Sequence, residues 1–591
     1  MKGMRYKYRF LENGAMKYEG IMGKMFSFVN EEQLLNVSLW KSFVNVFNTK
    51  EDGEDLRWRG EYWGKMMRGA CLCYKYENDE KLYSILKATM EDMLKTQEDN
   101  GRFSTYYLEN EFQSWDMWSR KYILTSLLHF YDICKENDLK VRILEAVRKH
   151  ADYILEHVGN EKGKKKITET SHWWLGVNSS SILEPFVNLY EVTNDKKYLD
   201  FAKYIIDEGG IQNGNLIDCV RNDELKPCEY PENKAYETMS FFEGVLEYSL
   251  VTDNQELFDI ALKFFEMVYE EEVSITGNAG AEDEIFNHGA LKQTEKPTRF
   301  MQETCVTVTW IRILSKLLLL TGDVKYYDRL EISQRNAMLG SINFDHQKAY
   351  GSERNEYLEG LPFDSYSPLY NSRRGLSTGG LNYMKDGSHY GCCACIGSAG
   401  IGLCALDTII EDDTTLLIND YYEGKISLDG INISITGDYL RDGLTHIEID
   451  SSKNKTLKLR IGEWANKALI RINGNEMKGK SSSYFSTNIK KGRYTIDIDF
   501  NWGIVSAEIN NKIAYMYGPI VLALDKESNQ DLDFDSLKAS DIHSFEQIEL
   551  KDSQIAFKAK AKDKEILFKD YASSGKHWDN PDDIMTVWIN K

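Results

Sequence analysis

No stretch of this chain approaches the roughly 20 consecutive apolar residues that a membrane span needs. The opening MKGMRYKYRFLENG has no apolar core of the kind an export signal carries. A cytoplasmic location is therefore the expectation, with the ten cysteines reduced rather than paired. Proline is scarce, 8 in 591 residues, and no long Pro/Gly linker sets one part of the chain apart from the next. Basic residues are in the minority: 72 Lys and Arg against 93 Asp and Glu leave a formal net charge of -21. That balance excludes nucleic acid, whose phosphates need clustered Lys and Arg, and it argues against anionic membrane surfaces and polyanionic substrates.

What is present exceeds one hydrophobic core, so several domains are expected. Aromatic residues make up 12%, with 12 Trp and 35 Tyr. Flat rings suit the apolar faces of sugars, although the same rings also fill large cores. Residues 1–30 read as short strands that join the first β-sandwich. From 31 to 412 the texture is helical, and five polar turns punctuate it. They are Glu77-Asn78-Asp79, Glu136-Asn137-Asp138, Thr193-Asn194-Asp195, Thr252-Asp253-Asn254 and Thr321-Gly322-Asp323, and they begin 59, 57, 59 and 69 residues apart. Asn, Asp and Gly tolerate left-handed backbone and cap the following helix, so the pattern is a repeat of αα-hairpins. Adding a helix near 31–45 and one beginning near Gly397 gives twelve. Six hairpins close into an (α/α)6 barrel, with an open superhelix as the alternative closure. Beyond 412, runs such as KISLDGINISITG and GRYTIDIDFNW alternate with period two, which is antiparallel sheet. The expected fold is thus mainly α with an all-β C-terminal part: a barrel over 31–412, one β-sandwich over 413–505 and a second over 506–591.

The first helix of each hairpin begins near a reactive or polar cluster. These are Arg59-Gly60-Glu61-Tyr62-Trp63, Trp115-Asp116-Met117-Trp118, Asn178-Ser179-Ser180-Ser181, Tyr236-Glu237, Glu303-Thr304-Cys305 and Cys392-Cys393. If those helices line a barrel, their N-termini share one rim, where partial positive charge favours carboxylates and thiolates. Any one cluster is explained as well by an N-cap among core aromatics. Glu303-x-Cys305 with Cys392-Cys393 offers one carboxylate and three thiols, a donor set that zinc accepts. Cys395 completes a CxxC with Cys392 and is a reserve ligand. The loop 276–284 carries Glu282, Asp283 and Glu284 in a row. A carboxyl group there can serve as general acid and base, while most such acidic runs are solvated loops.

At these residues the chain resembles glycoside hydrolase family 127, the β-L-arabinofuranosidases, and the related family 146. The resemblance covers nearly the whole length. It includes WRGEYWGK at 58–65, the segments 97–106 and 115–122, and Ala235-Tyr236-Glu237. It continues through Glu303-Thr304-Cys305, Cys392-Cys393, the segment 459–464 and Tyr517-Gly518-Pro519. It implies an (α/α)6 barrel followed by β-sandwiches, with Zn²⁺ held by Glu303, Cys305, Cys392 and Cys393. It further implies a retaining hydrolase with Cys392 as nucleophile and Glu284 as acid/base, Glu282 being the fallback. Substrate contacts are expected from Trp63, Trp115, Asp116, Lys121, Tyr122 and Ser180, and from Lys234, Tyr236, Glu237 and Tyr366. The implied partner is a glycoside or small oligosaccharide, neither nucleic acid nor membrane is expected, and a homodimer is left open.

Some positions depart from the family. Ile396 stands where Asn is common, three residues after the cysteine pair. Histidines that contact the arabinofuranose are replaced, with Lys121-Tyr122 and Lys234 near two of their places. Two other readings stay open at this point. One is a lyase, epimerase or two-carboxylate hydrolase of the same fold, drawing on Asp116, Glu237 and Glu284. The other is a non-catalytic carbohydrate-binding protein with a structural zinc.

Overall fold

The computed structural model describes residues 4–299, 301–351, 355–358, 361–465, 467–562 and 564–591. Six helices form an inner ring: α1 (Gly60–Glu77), α2 (Asp116–Ile133), α3 (Leu183–Thr193), α4 (Ala235–Thr252), α5 (Thr304–Thr321) and α6 (Cys392–Leu406). Each packs on the next, and α6 packs on α1, so the ring closes as a barrel and not as an open superhelix. The contact between α6 and α1 depends on small residues. A Cβ at Gly69 would stand 2.1 Å from Ser398 Oγ, and one at Gly402 would stand 2.8 Å from Leu72 Cβ. Every residue of α6 is buried, as expected for a helix covered on all sides. The helix starts at Cys392, one turn before the expected Gly397.

The outer layer is Val37–Thr49, Glu80–Leu94, Asn137–His157, Lys196–Asp207, Gln255–Glu272 and Val324–Ser333. Turn chemistry joins it to the inner ring. Asn78, Asn194, Asp253 and Gly322 close α1, α3, α4 and α5 with left-handed φ of 52, 52, 51 and 67°. The next residue then caps the outer helix: Asp79, Asp195, Asn254 and Asp323 accept from the backbone N–H groups of Leu82, Lys197, Leu257 and Lys325. The second repeat differs. There α2 ends in extended backbone at Cys134, and Asn137 and Asp138 already belong to the outer helix.

Midway along its length, α5 supplies two cations to carboxylates of α3 and α4. Arg312 Nε lies 2.8 Å from Glu243 Oε1, and Lys316 Nζ lies 3.0 Å from Glu243 and 3.2 Å from Glu184. Glu243→Ala leaves buried Arg312 without its carboxylate partner, while half-buried Lys316 keeps Glu184 and Glu247. It is expected to cost about 3–5 kcal/mol, read as a lowered urea midpoint. The same α5 is long and apolar enough to pass for a membrane span, yet it is 78% buried inside the ring.

Two strands from the start of the chain join the C-terminal sheets. Arg9–Phe10 pairs with Ile409–Glu411 in a five-stranded sheet, and Met16–Tyr18 pairs with Gly424–Leu428 in a seven-stranded one. Residues 20–29, read as strand, are a helix. Met22, Met25, Phe26 and Val29 fall at i, i+3, i+4 and i+7, and that face packs on α6. A third, eight-stranded sheet runs from Ile504–Ile509 to Ile589–Asn590. Buried Arg460, on strand Lys455–Ile461, ties the five-stranded sheet to the barrel through Asp328 and through Glu331 at 2.7 Å.

Candidate functional site

The N-terminal ends of α1, α2, α4, α5 and α6 border one cavity of about 360 Å³, within the usual size range of ligand sites. Cys392 and Cys393 are the first two residues of α6, Cys305 is the second of α5, and Glu303 immediately precedes α5. Closing the ring therefore brings them together. Cys305 Sγ lies 3.7 Å from Cys392 Sγ and 3.6 Å from Cys393 Sγ, and the latter two are 3.8 Å apart. Glu303 Oε1 is 3.6 Å from Cys392 Sγ and 3.3 Å from Cys393 Sγ. All four side chains are buried, their ligand atoms lie within 4.8 Å of one another, and the group can hold a metal ion. Cys395 stands one turn along α6 and is not part of this group.

The electrostatics single out Cys392. Hydrogen bonds from the Cys305 and Cys393 thiols push its pKa well below the ordinary thiol value, Lys65 and Lys234 assist, and burial opposes. Burial instead raises Cys305 and Cys393. Among the three thiols, Cys392 is the one that lines the cavity.

Glu284 reaches the cavity from a turn in which Asp283 and Glu284 have φ of 57 and 64°. The turn is pinned to α4, because Ala235 N–H donates to the Glu284 carbonyl oxygen. The Glu284 carboxylate forms an ion pair with Lys234 and accepts from Tyr366 Oη at 2.8 Å. Burial alone would lower the Lys234 pKa, but Glu284, Glu237 and Glu303 raise it above its ordinary value, so it stays charged. Glu282 is turned elsewhere. It accepts from Thr298 Oγ1 at 3.0 Å and from Arg299 N–H at 3.3 Å, and it does not line the cavity. The fallback acid/base assignment to Glu282 therefore loses its geometric support.

The expected contact residues divide into two groups. Trp115, Lys234, Tyr236, Glu237 and Tyr366 line the cavity. Trp63, Asp116, Lys121, Tyr122 and Ser180 do not. Trp63 points between helices, where its indole N–H donates to Thr89 Oγ1 at 3.0 Å. Asp116 is a structural ion, bonded to Ser104, Phe112 N–H and Arg120, which removes it from a two-carboxylate scheme. Lys121 lies behind Trp118, 4.4 Å from a ring centroid, and donates to Ser181 Oγ at 3.1 Å; burial lowers its pKa to about 7. Tyr122 stands behind Tyr236, hydroxyl to hydroxyl. Ser180 is buried at the break between Val177–Ser180 and α3.

Glu61 and Lys65, absent from the expected contacts, occupy the cavity face of α1. Their spacing of four residues sets them on one helical stripe, with Nζ 3.0 Å from Oε1, and Trp63 falls on another face. Lys65 Nζ is also 3.8 Å from Cys305 Sγ. Burial raises Glu61 to about 7 even though Lys65 pulls the other way. Glu237 is raised to about 7 by burial, and among the described residues its buried Oε2 has no hydrogen-bond partner. Trp58, Trp118, Trp173 and Trp174 join Trp115 in an aromatic wall.

The family model of the β-L-arabinofuranosidase GH127 catalytic domain matches residues 6–397, and that of the GH127 middle domain matches residues 415–500. A non-reducing end β-L-arabinofuranosidase of Bifidobacterium longum subsp. longum is 20% identical over 524 residues, covering 79% of this chain and 75% of that protein. A solved GH127 β-arabinofuranosidase shares the fold at a TM-score of 0.72 with 17% identity, over 99% of this chain and 98% of that one. A GH127 β-L-arabinofuranosidase from Geobacillus stearothermophilus T6 does so at 0.69 with 16% identity, over 97% and 99%.

Proposed function

The chain belongs to glycoside hydrolase family 127, the β-L-arabinofuranosidases, and from that membership we propose a retaining hydrolase of β-L-arabinofuranosides or a closely related sugar. Cys392 is its nucleophile and Glu284 its acid/base, beside a zinc site. The observation that carries this reading is the convergence of Glu303, Cys305, Cys392 and Cys393 on one point bordering the cavity. A tetrahedral zinc with Zn–S of about 2.3 Å and Zn–O of about 2.1 Å separates its sulfurs by about 3.8 Å and sulfur from oxygen by about 3.5 Å. The sulfur separations of 3.6–3.8 Å and the Glu303 oxygen distances of 3.6 and 3.3 Å to Cys392 and Cys393 fit that ion, and all four ligand atoms lie within 4.8 Å of one another. When bound, zinc keeps the three sulfurs as thiolates, and four singly charged ligands outweigh its double charge, so the Cys392 sulfur stays electron-rich. A purely structural zinc needs no ligand facing a cavity, whereas Cys392 and Glu303 both border this one.

The steps follow from the side chains. Cys392 Sγ attacks the anomeric carbon and forms a carbon–sulfur bond as the carbon–oxygen bond to the leaving group breaks. Glu284, which enters this step as the protonated carboxylic acid, gives its proton to the departing oxygen and is left as the carboxylate that Lys234 pairs with. In the second half Glu284 takes a proton from water, the water oxygen bonds to the same carbon, and sulfur departs. Two displacements give net retention. Lys234 and Tyr366 orient the Glu284 carboxylate throughout. Glu237, one oxygen of which has no hydrogen-bond partner among the described residues, accepts a hydrogen bond from a sugar hydroxyl. Glu237→Gln is expected to raise KM about tenfold and change kcat little, since the amide oxygen still accepts and only the difference between a charged and a neutral hydrogen bond, about 1–1.5 kcal/mol, is lost. Initial-rate kinetics check the split.

All ten cysteines are free, which suits the reducing, cytoplasmic setting that we propose. The deciding experiment is a panel of 4-nitrophenyl glycosides run beside metal analysis of the same protein. Highest turnover of the β-L-arabinofuranoside and one zinc per chain are expected. Turnover of another glycoside alone would replace the sugar assignment, and metal-free active enzyme would remove the zinc. A chelator strong enough to strip the metal is expected to abolish activity and lower the thermal midpoint together.

A further inference from the structure

Two tryptophans of the cavity wall stand on a turn with an unusual backbone. Trp174, Leu175 and Gly176 have φ of 52, 47 and 83° in succession. A Cβ at Gly176 would lie 2.1 Å from the Thr168 carbonyl oxygen, so the turn closes only with glycine there. Left-handed backbone at non-glycine residues carries strain and persists where the surroundings impose it. The turn holds a large indole in water: Trp173 remains 41% exposed. The ring is fixed rather than loose. Its Nε1–H donates to Ser114 Oγ at 3.0 Å, and it stacks on Trp115 with centroids 6.4 Å apart and 26° between planes. Trp115 in turn meets Trp58 edge-on at 5.6 Å.

The position of this wall relative to the chemistry follows from Lys234. Its ammonium lies 4.7 Å from the centroid of Trp174 and is the ion-pair partner of Glu284. A general acid must sit beside the departing oxygen. The tryptophan wall therefore borders the side from which the leaving group departs, with Trp174 inside and Trp173 at the mouth. A rigid, exposed ring at the mouth, its centroid 6.2 Å outward from that of Trp174, suits one chemistry above others, the apolar C–H face of a second sugar ring.

We propose that Trp173, backed by Trp115, is the platform for the sugar ring of the leaving group, and so selects substrates whose cleaved residue is linked to another sugar. The proposal rests on the reading of Glu284 as acid/base. The test compares a β-L-arabinofuranosyl disaccharide with methyl β-L-arabinofuranoside in the wild type, Trp173→Ala and Trp173→Phe. Trp173→Ala is expected to raise KM for the disaccharide about tenfold, equivalent to one ring contact of about 1.4 kcal/mol. The methyl glycoside is expected to be unaffected, and Trp173→Phe to restore most of the loss. Equal loss on both substrates, or none on the disaccharide, overturns the platform. Failure of the wild type on all arabinofuranosides sinks the proposed sugar instead. The same pairwise comparison is then run on whichever glycoside of the panel is cleaved. If none is cleaved, calorimetry of disaccharides with the wild type decides, and absence of any binding overturns the platform as well.

Discussion

Cys392→Ser is expected to lower kcat on 4-nitrophenyl β-L-arabinofuranoside by at least about four orders of magnitude, as loss of a covalent nucleophile does in other hydrolases. The swap keeps the shape of the side chain and exchanges a polarised sulfur for a hydroxyl with no base of its own. With the ion bound, the Cys392 sulfur would be held as a thiolate near Lys65 and Lys234, and a serine hydroxyl would not inherit that state. Glu303, Cys305 and Cys393 remain to hold the ion, so zinc content measured on the same sample separates loss of nucleophile from loss of metal. Cys395→Ala is the matched control. It removes a neighbouring buried thiol outside the four-residue group and is expected to leave kcat within about twofold. A Cys392→Ser protein with zinc bound and more than about a tenth of wild-type activity would show that another atom attacks the sugar.

The legible part of this molecule is the part governed by local chemistry. Asn78, Asn194, Asp253 and Gly322 end their helices because they tolerate positive φ, and the capping residues that follow are readable for the same reason. The metal donors are readable by residue type. Their meeting across 87 residues depends on the ring closing, which no local pattern states. Helix phase was the information missing from the contact residues. Trp63 and Asp116 sit in the right clusters, but each occupies a face turned from the bowl, whereas Glu61, Lys65 and Trp118 occupy the face turned toward it. A cluster at a helix start fixes height on the barrel and leaves azimuth open. The Glu61–Lys65 spacing was the available signal, since a buried i,i+4 ion pair must face something polar. Residues 20–29 are ambiguous in sequence because Met and Phe fit a strand as readily as a helix, and only their 3,4 spacing distinguishes the two.

Glu284→Gln is expected to reduce kcat/KM by about two to four orders of magnitude on a sugar or methyl leaving group and by less than tenfold on a 4-nitrophenyl one. The amide keeps size and can still accept from Tyr366, so the bowl stays formed. Lys234 loses its nearest carboxylate and retains the field of Glu237 and Glu303, which keeps the buried ammonium compensated. What is lost is the proton. An alkoxide departs slowly without one, whereas 4-nitrophenolate is stable enough to leave unaided. With the activated substrate the burden moves to the second half, where water must attack without a base. Added azide needs no deprotonation, so it is expected to accelerate that variant and to give the glycosyl azide with retained configuration. Glu282→Gln, on the opposite side of the same turn, is expected to behave as wild type. Equal loss of Glu284→Gln activity across leaving groups, without azide rescue, would assign the side chain to binding and leave the proton transfer to another group.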